Sequence, residues 1–305
     1  MSGPTDLPTA GRPGGHAGGH LRELAAEGAA RGYDPARTLR FGVELRRQLR
    51  RRRTVGVFAF MVALPLLLVL AFALGDEPDG RRGVSLIDVA TVGALNFVLF
   101  VLFVSTGFLL VVVVALFFGD TVASEGGWGT LRYLLVIPVP RPRLLGRKLL
   151  VALVLSAAAL LTLVVVSLVV GAVFYGWGPV TTPVGFRLDP GPALARVAGA
   201  AAYLLASLSV VGALAFMLSV RTDAPLAAVG GTVLIVIVSS ILDQIDALGA
   251  VREWLPTRHT VAWVGLLQDP PDTSDMLRGV LLSLGYAAVL LAVAFHHFQR
   301  KDVVS

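Results

Sequence analysis

One polar stretch of this chain holds residue types able to do more than pack. Residues 119–148 read GDTVASEGGWGTLRYLLVIPVPRPRLLGRK and separate two long apolar runs. Glu125 is followed by Gly129, Thr130, Leu131 and Arg132, and then by Pro138, Arg141 and Lys148. A carboxylate set among glycines and basic residues suits recognition of a partner, not bond-making. Glu125 either sits at a helix N-terminus, where unpaired amides stabilise a negative charge, or faces a basic group on another protein. Gly126, Gly127 and Gly129 predict a turn that breaks the preceding apolar helix. Pro138 and Pro140 predict the end of a short helix over 130–137, because proline removes a donor and disfavours helix in the residue before it. Arg141, Arg143, Arg147 and Lys148 then anchor the start of the next apolar run.

Patterns for other chemistries are missing from the sequence. It contains no Cys, which excludes disulfides, thiolate metal sites and Cys nucleophiles. It contains no H-E-x-x-H, and its six apolar cores hold no acid, Lys or Arg. That speaks against a membrane-embedded hydrolase, and against proton-coupled transport, which needs a titrating group at mid-membrane. No G-x-x-x-x-G-K-[ST] is present to cradle nucleotide phosphates, so energy for active transport has to come from a separate protein. No catalytic residue, metal ligand or cofactor of its own is expected. His16 and His20 have the i, i+4 spacing of a helical metal pair but lie among glycines and read as a solvated tail, whereas His296 and His297 end an apolar run and read as an interfacial flank. Asn96, Ser105, Thr106 and Ser207 are candidate linings of a substrate path, although such side chains also bond their own helix backbone.

The elements that must position the loop follow from composition. Of 305 residues 55% are hydrophobic and 15% charged, against about a quarter charged in soluble domains. Six apolar runs, 55–74, 89–118, 149–175, 197–220, 226–242 and 280–296, are close to or above the roughly 20 residues a helix needs to cross a bilayer. They lack polar alternation, so helices are expected in place of a barrel. Residues 1–35, rich in Gly, Pro, Ala and His and without an apolar signal region, predict a flexible cytoplasmic tail. Residues 36–53 mix Phe41, Leu45 and Leu49 with arginines and predict an interfacial elbow helix whose Arg stems snorkel to anionic lipid. Trp254, Trp263 and Leu266–Leu267 in 243–278 predict an outer helix pair, interfacial or re-entrant. The expected fold is an all-α integral membrane protein of six transmembrane helices, spanning 36–302, with the elbow before the first span and the re-entrant helices between spans five and six.

Charge sets the orientation. With both termini inside, 19 of the 26 Lys and Arg residues fall on the inner side and 7 on the outer. The positive-inside rule then puts both termini and the 119–148 loop in the cytoplasm of a multi-pass plasma-membrane protein. The formal charge of +6 implies no nucleic-acid partner, because the basic residues crowd against apolar spans instead of forming a soluble basic face.

The pattern E-x-x-x-G-T-L from Glu125 to Leu131, a short apolar segment, P-x-x-R from Pro138 to Arg141, and Lys148 seven residues later resembles the first cytoplasmic loop of ABC-2-type transporter permeases. The weaker F-x-R-x-D ending, Phe298 to Asp302, is similar to endings in that family, and the resemblance spans 37–302. Pro140 and Pro142 depart from the pattern. The resemblance implies that the loop is a coupling helix docking on a separate ATPase subunit, through Glu125, Gly129, Thr130, Leu131, Arg132, Pro138, Arg141 and Lys148. It implies that the partner binds the ATP and that permeases pair as a homodimer or heterodimer in membrane lipid. The apolar spans with their dispersed polar groups fit a lipid-like or amphipathic cargo, a drug or a peptide equally well. A non-transporting membrane scaffold or assembly factor of the same fold is the alternative, with a secondary transporter behind it.

Overall fold

Away from water an apolar segment must satisfy its own amides and carbonyls, and the α-helix does this within one stretch of chain. The computed structural model describes residues 41–75, 86–127, 141–182 and 187–300. The expected tail, 1–35, and the expected short helix, 130–137, lie outside the described residues. The helices are α1 Phe41–Leu49, α2 Arg52–Leu74, α3 Leu86–Ala90, α4 Ala94–Thr106, α5 Leu109–Gly127 and α6 Arg141–Tyr175. They continue with α7 Pro190–Ser207, α8 Ser209–Arg221, α9 Pro225–Asp243 and α10 Ser274–Arg300. Two 3-10 helices, Asp246–Trp254 and Ala262–Leu267, lie between α9 and α10. A two-residue antiparallel pairing joins β1, Val180–Thr181, to β2, Arg187–Leu188.

Five helical segments among the described residues are long and apolar enough to cross a membrane, and a bent pair raises the number to six. The protein is therefore a multi-pass membrane protein of helical fold. The bent pair corrects the expectation of one straight second span over 89–118. α4 and α5 meet at 60° across Gly107 and Phe108. Thirty residues of straight helix stretch about 45 Å, whereas the hydrocarbon layer is about 30 Å thick. Thr106 donates its hydroxyl to Leu102 O at 2.6 Å on the approach to the bend, a back-bond of the kind that bends helices.

The turn expected at Gly126, Gly127 and Gly129 is corrected at the first two, since α5 runs through Gly127. Glycine in a helix costs about 1 kcal/mol relative to alanine, and several side chains from other helices hold the preceding turn, as described below. At the other side of the loop α6 begins at Arg141, eight residues before the apolar run. Residues 119–127 and 141–148 of the expected loop are thus helical.

α5 and α8 pack along each other at the centre. α9 and α10 cover them on one side, and α6, α4 and α2 extend the layer on the other. Glycines allow the closest approaches. A Cβ on Gly171 of α6 would lie 2.9 Å from Ala94 Cα, and one on Gly212 of α8 would lie 3.1 Å from the Phe118 ring of α5. Without a hydrophobic force between helices in lipid, such backbone approach supplies the packing. Of the two tryptophans expected as interfacial anchors, Trp263 is buried and Trp254 is exposed. The second 3-10 helix rests on α7, where Arg196 donates to Leu266 O at 2.7 Å and to Gln268 O at 3.0 Å.

Gly171→Ala drives a methyl group into the α4 backbone and is expected to destabilise the chain by about 1–3 kcal/mol. Gly146→Ala, where an added Cβ meets nothing within 4 Å, is expected to be neutral or stabilising by up to about 1 kcal/mol. Thermal unfolding of the detergent-solubilised chain checks both, and equal midpoints for the two variants contradict the close α4–α6 contact.

Candidate functional site

The turn Asp120–Ser124, at the foot of α5 and just ahead of Glu125, is held by side chains from three directions. Its charge is compensated first. Asp120 is buried and accepts from Arg51 Nη1 on Oδ2 at 2.7 Å and from Arg53 Nη1 on Oδ1 at 2.5 Å. The two arginines can converge because Arg51 has extended backbone, φ −70° and ψ 135°, at the break between α1 and α2. Arg51 also donates to Ser124 Oγ at 3.3 Å, and Ser124 Oγ donates to Asp120 O at 2.6 Å.

The backbone of the same turn is fastened from α6 and α8. Lys148 of α6 is buried, and its Nζ donates to Thr121 O at 3.0 Å. The amides of Val122 and Ala123 both donate to Ser219 Oγ of α8, at 3.1 and 2.9 Å. α1 closes the cluster from above α6. Glu44 Oε1 accepts from Arg47 Nη2 at 2.7 Å and from Gln48 Nε2 at 3.1 Å. Burial alone would raise the Glu44 carboxyl, but the hydrogen bond from Arg47, the charges of Lys148 and Arg47 and the bond from Gln48 outweigh it and hold its pKa below the usual 4.5. α1 therefore buries Glu44 and Gln48, while Leu49 of the expected apolar face is exposed. Phe41 and Leu45 do pack against the core.

The expected coupling residues stand as follows. Glu125 lies within α5 and not at its N-terminus, so its own helix does not offer it the free amides considered for it. Its side chain and that of Arg141, the first residue of α6, lie outside the described residues, as do Gly129, Thr130, Leu131, Arg132 and Pro138. Lys148 joins the Asp120–Ser124 turn directly. The candidate path residues divide. Asn96 clamps the β1 backbone, donating to Thr181 O at 2.7 Å and accepting from Thr181 N at 3.0 Å. Ser105 and Thr106 are buried beside the bend, and Ser207 lines a cavity together with Gly107.

Asp120, Arg51, Arg53 and Ser219 escaped the sequence reading, which centred on Glu125. The available signal was an acid directly after an apolar run and two arginines directly before another, all assigned to one membrane face.

Asp120→Asn and Arg51→Gln each leave a buried or half-buried charged group short of a partner, and each is expected to cost about 1–3 kcal/mol in thermal unfolding of the solubilised chain. Arg53→Gln is expected to cost less, because the Arg53 side chain is 59% exposed against 26% for Arg51. The Arg51→Gln/Asp120→Asn double variant should fall short of the sum of its singles. Strict additivity contradicts the ion pair. For Glu44 the folded state favours the charged form, so its contribution is complete above the unfolded value of 4.5 and is lost as pH falls through the lowered folded value. The unfolding midpoint should drop as the buffer is taken below about pH 4.5, and the Glu44→Gln variant should lack that part of the drop.

A family profile described as "Protein of unknown function (DUF2705)" matches residues 58–304, from the first third of α2 to beyond α10. No curated protein sequence matches the chain. The profile covers well over half of the sequence and takes in every helix from α3 onward, so the chain belongs to the DUF2705 family.

Proposed function

We propose that this protein is the membrane subunit of an ATP-driven exporter of the ABC-2 type, energised by a separate ATPase. The single observation that carries the proposal is the fastening of residues 120–124. The segment 128–140 is flanked by α5 and α6, and those helices are joined through Lys148 and Thr121. α8 joins them through Ser219, and the α1–α2 junction through Arg51 and Arg53. A push on the segment reaches all of these helices together, which is what a docking loop needs in order to convert nucleotide-driven closure into helix movement.

In this reading Glu125, Gly129, Thr130, Leu131, Arg132, Pro138 and Arg141 meet the ATPase, and Lys148 passes the displacement inward. α1 is the interfacial elbow and the two 3-10 helices are the outer re-entrant pair. Both termini are cytoplasmic, in agreement with the 19 to 7 division of basic residues. Two permease chains and two ATPases form the working assembly in the plasma membrane, and the cargo is amphipathic.

The test is reconstitution with an ATPase that co-purifies with the chain. Glu125→Gln is expected to leave the unfolding midpoint of the lone chain nearly unchanged, while ATPase stimulation or transport falls at least tenfold, about 1.4 kcal/mol or more of lost coupling. Arg81→Gln, assigned to an outer loop, should change neither. Normal transport by Glu125→Gln removes the coupling role. The absence of any ATPase responding to the chain favours a scaffold, and flux driven by an ion gradient alone, without ATP, favours a secondary transporter.

A further inference from the structure

The cavity lined by Gly107 and Ser207 lies at the opposite end of α5 and α8 from the Asp120 turn. It has a volume of 360 Å³, at the small end of the range for ligand sites and suited to one apolar chain and not two. Two interrupted helices meet there. The 60° break between α4 and α5 contributes Gly107, and the junction of α7 and α8 contributes Ser207 and Leu208. Irregular backbone at membrane depth is tolerated where it is buried or lines a cavity, and discontinuous helices of this kind recur at binding sites.

The walls are of two kinds. Val111, Leu214, Ile235 and Val236 make an apolar side. Toward the 3-10 helices the lining turns polar, with Ser239 and Thr257 sharing a 2.8 Å hydrogen bond, and with Asp243 and Arg258 beyond them. The Asp243–Arg258 pair is loose. Asp243 Oδ1 lies 3.4 Å from Arg258 Nη1 and 3.7 Å from Arg252 Nε, well beyond the roughly 2.8 Å of a charge-assisted bond. Among the described residues Arg258 has this one long contact, and its side chain is 42% exposed, so the rest of its five donors are left to solvent or a ligand. Arg252 has its own close partner in Asp246, which leaves Asp243 and Arg258 as a loosely engaged anion and cation at the rim of an apolar slot.

We infer that this cavity binds a single-chain zwitterionic amphipath of the lysophospholipid type. The apolar chain lies along Val111, Leu214 and Val236. The phosphate takes the remaining donors of Arg258 in place of water, and the ammonium group takes Asp243. One group of either sign alone would leave half of the opened pair without a partner, so the zwitterion is preferred over an anion or a cation with the same tail. That such a molecule is the exported cargo rests on the exporter reading above, whereas its binding does not.

The experiment uses the full chain purified in a maltoside detergent, with no ATPase present, and follows displacement of a fluorescent lysophosphatidylcholine. Dodecylphosphocholine, dodecyl phosphate and dodecyltrimethylammonium share one tail and differ in head group. Dodecylphosphocholine is expected to displace the probe at concentrations at least tenfold below the other two. Arg258→Gln and Asp243→Asn should each lower its affinity at least tenfold, whereas Arg187→Gln, in β2 and not among the lining residues, should not. The charge-exchanged double variant, Asp243→Arg with Arg258→Asp, should recover the preference for the zwitterion, which a merely unfolded variant cannot do. Equal displacement by all three heads, or no response to these substitutions, reports partition of the tail alone and overturns the inference. Loss of binding with ATPase coupling intact sinks the cavity reading only, and loss of coupling with binding intact sinks the exporter reading only.

Discussion

A carboxylate at the end of an apolar helix stays charged and buried only if cations are brought to it, and Asp120 imposes that condition on this fold. Meeting it requires Arg51 and Arg53 on adjacent parts of the chain, hence a break between α1 and α2 with extended backbone at Arg51. The break lays α1 against α6, where Glu44 enters the interior only because Arg47, Gln48 and the charge of Lys148 compensate it. Lys148 in turn is received by the Thr121 carbonyl and faces the charge of Glu44. Each charge is tolerable because of the next, so the cluster stands or falls as a unit.

α5 and α8 connect this cluster to the cavity. α5 carries Val111 at the cavity and Val122 and Ala123 at the cluster, and α8 carries Leu214 and Ser219 in the same order. The two helices are packed along their length, with Gly212 admitting the Phe118 ring. Close-packed helices move as bodies and do not deform smoothly. A tilt imposed at the polar end therefore alters the cavity wall at the other, without any chain of individual side-chain switches between them.

The spans were legible where hydropathy and punctuation coincide. The fifth was expected over 226–242 and is Pro225–Asp243, because a proline opens it and an acid closes it. Hydropathy failed where helices outlast their apolar core. α6 begins at Arg141, among arginines that no apolar window admits, and α5 continues through Gly126 and Gly127, which were expected to turn. The bend at Gly107 was not legible either, since nothing local separates it from Gly171, which stays helical against Ala94. At the candidate site Lys148 was singled out by the resemblance to ABC-2-type permeases, as a docking residue, whereas the structure shows it buried against Thr121 O. Asp120 was not singled out, because an ion pair between residues 67 or 69 positions apart leaves no periodic trace in one sequence.

The bend between α4 and α5 also governs how the protein meets bilayers of different thickness. A straight rod with charges fixed at its foot must either tilt or drag those charges into hydrocarbon when the layer thickens. The 60° bend at Gly107 and Phe108 shortens the reach of the pair along any one axis while α5 stays packed on α8. Gly107 belongs both to the bend and to the cavity wall, so any change of that angle with lipid thickness would also change the cavity.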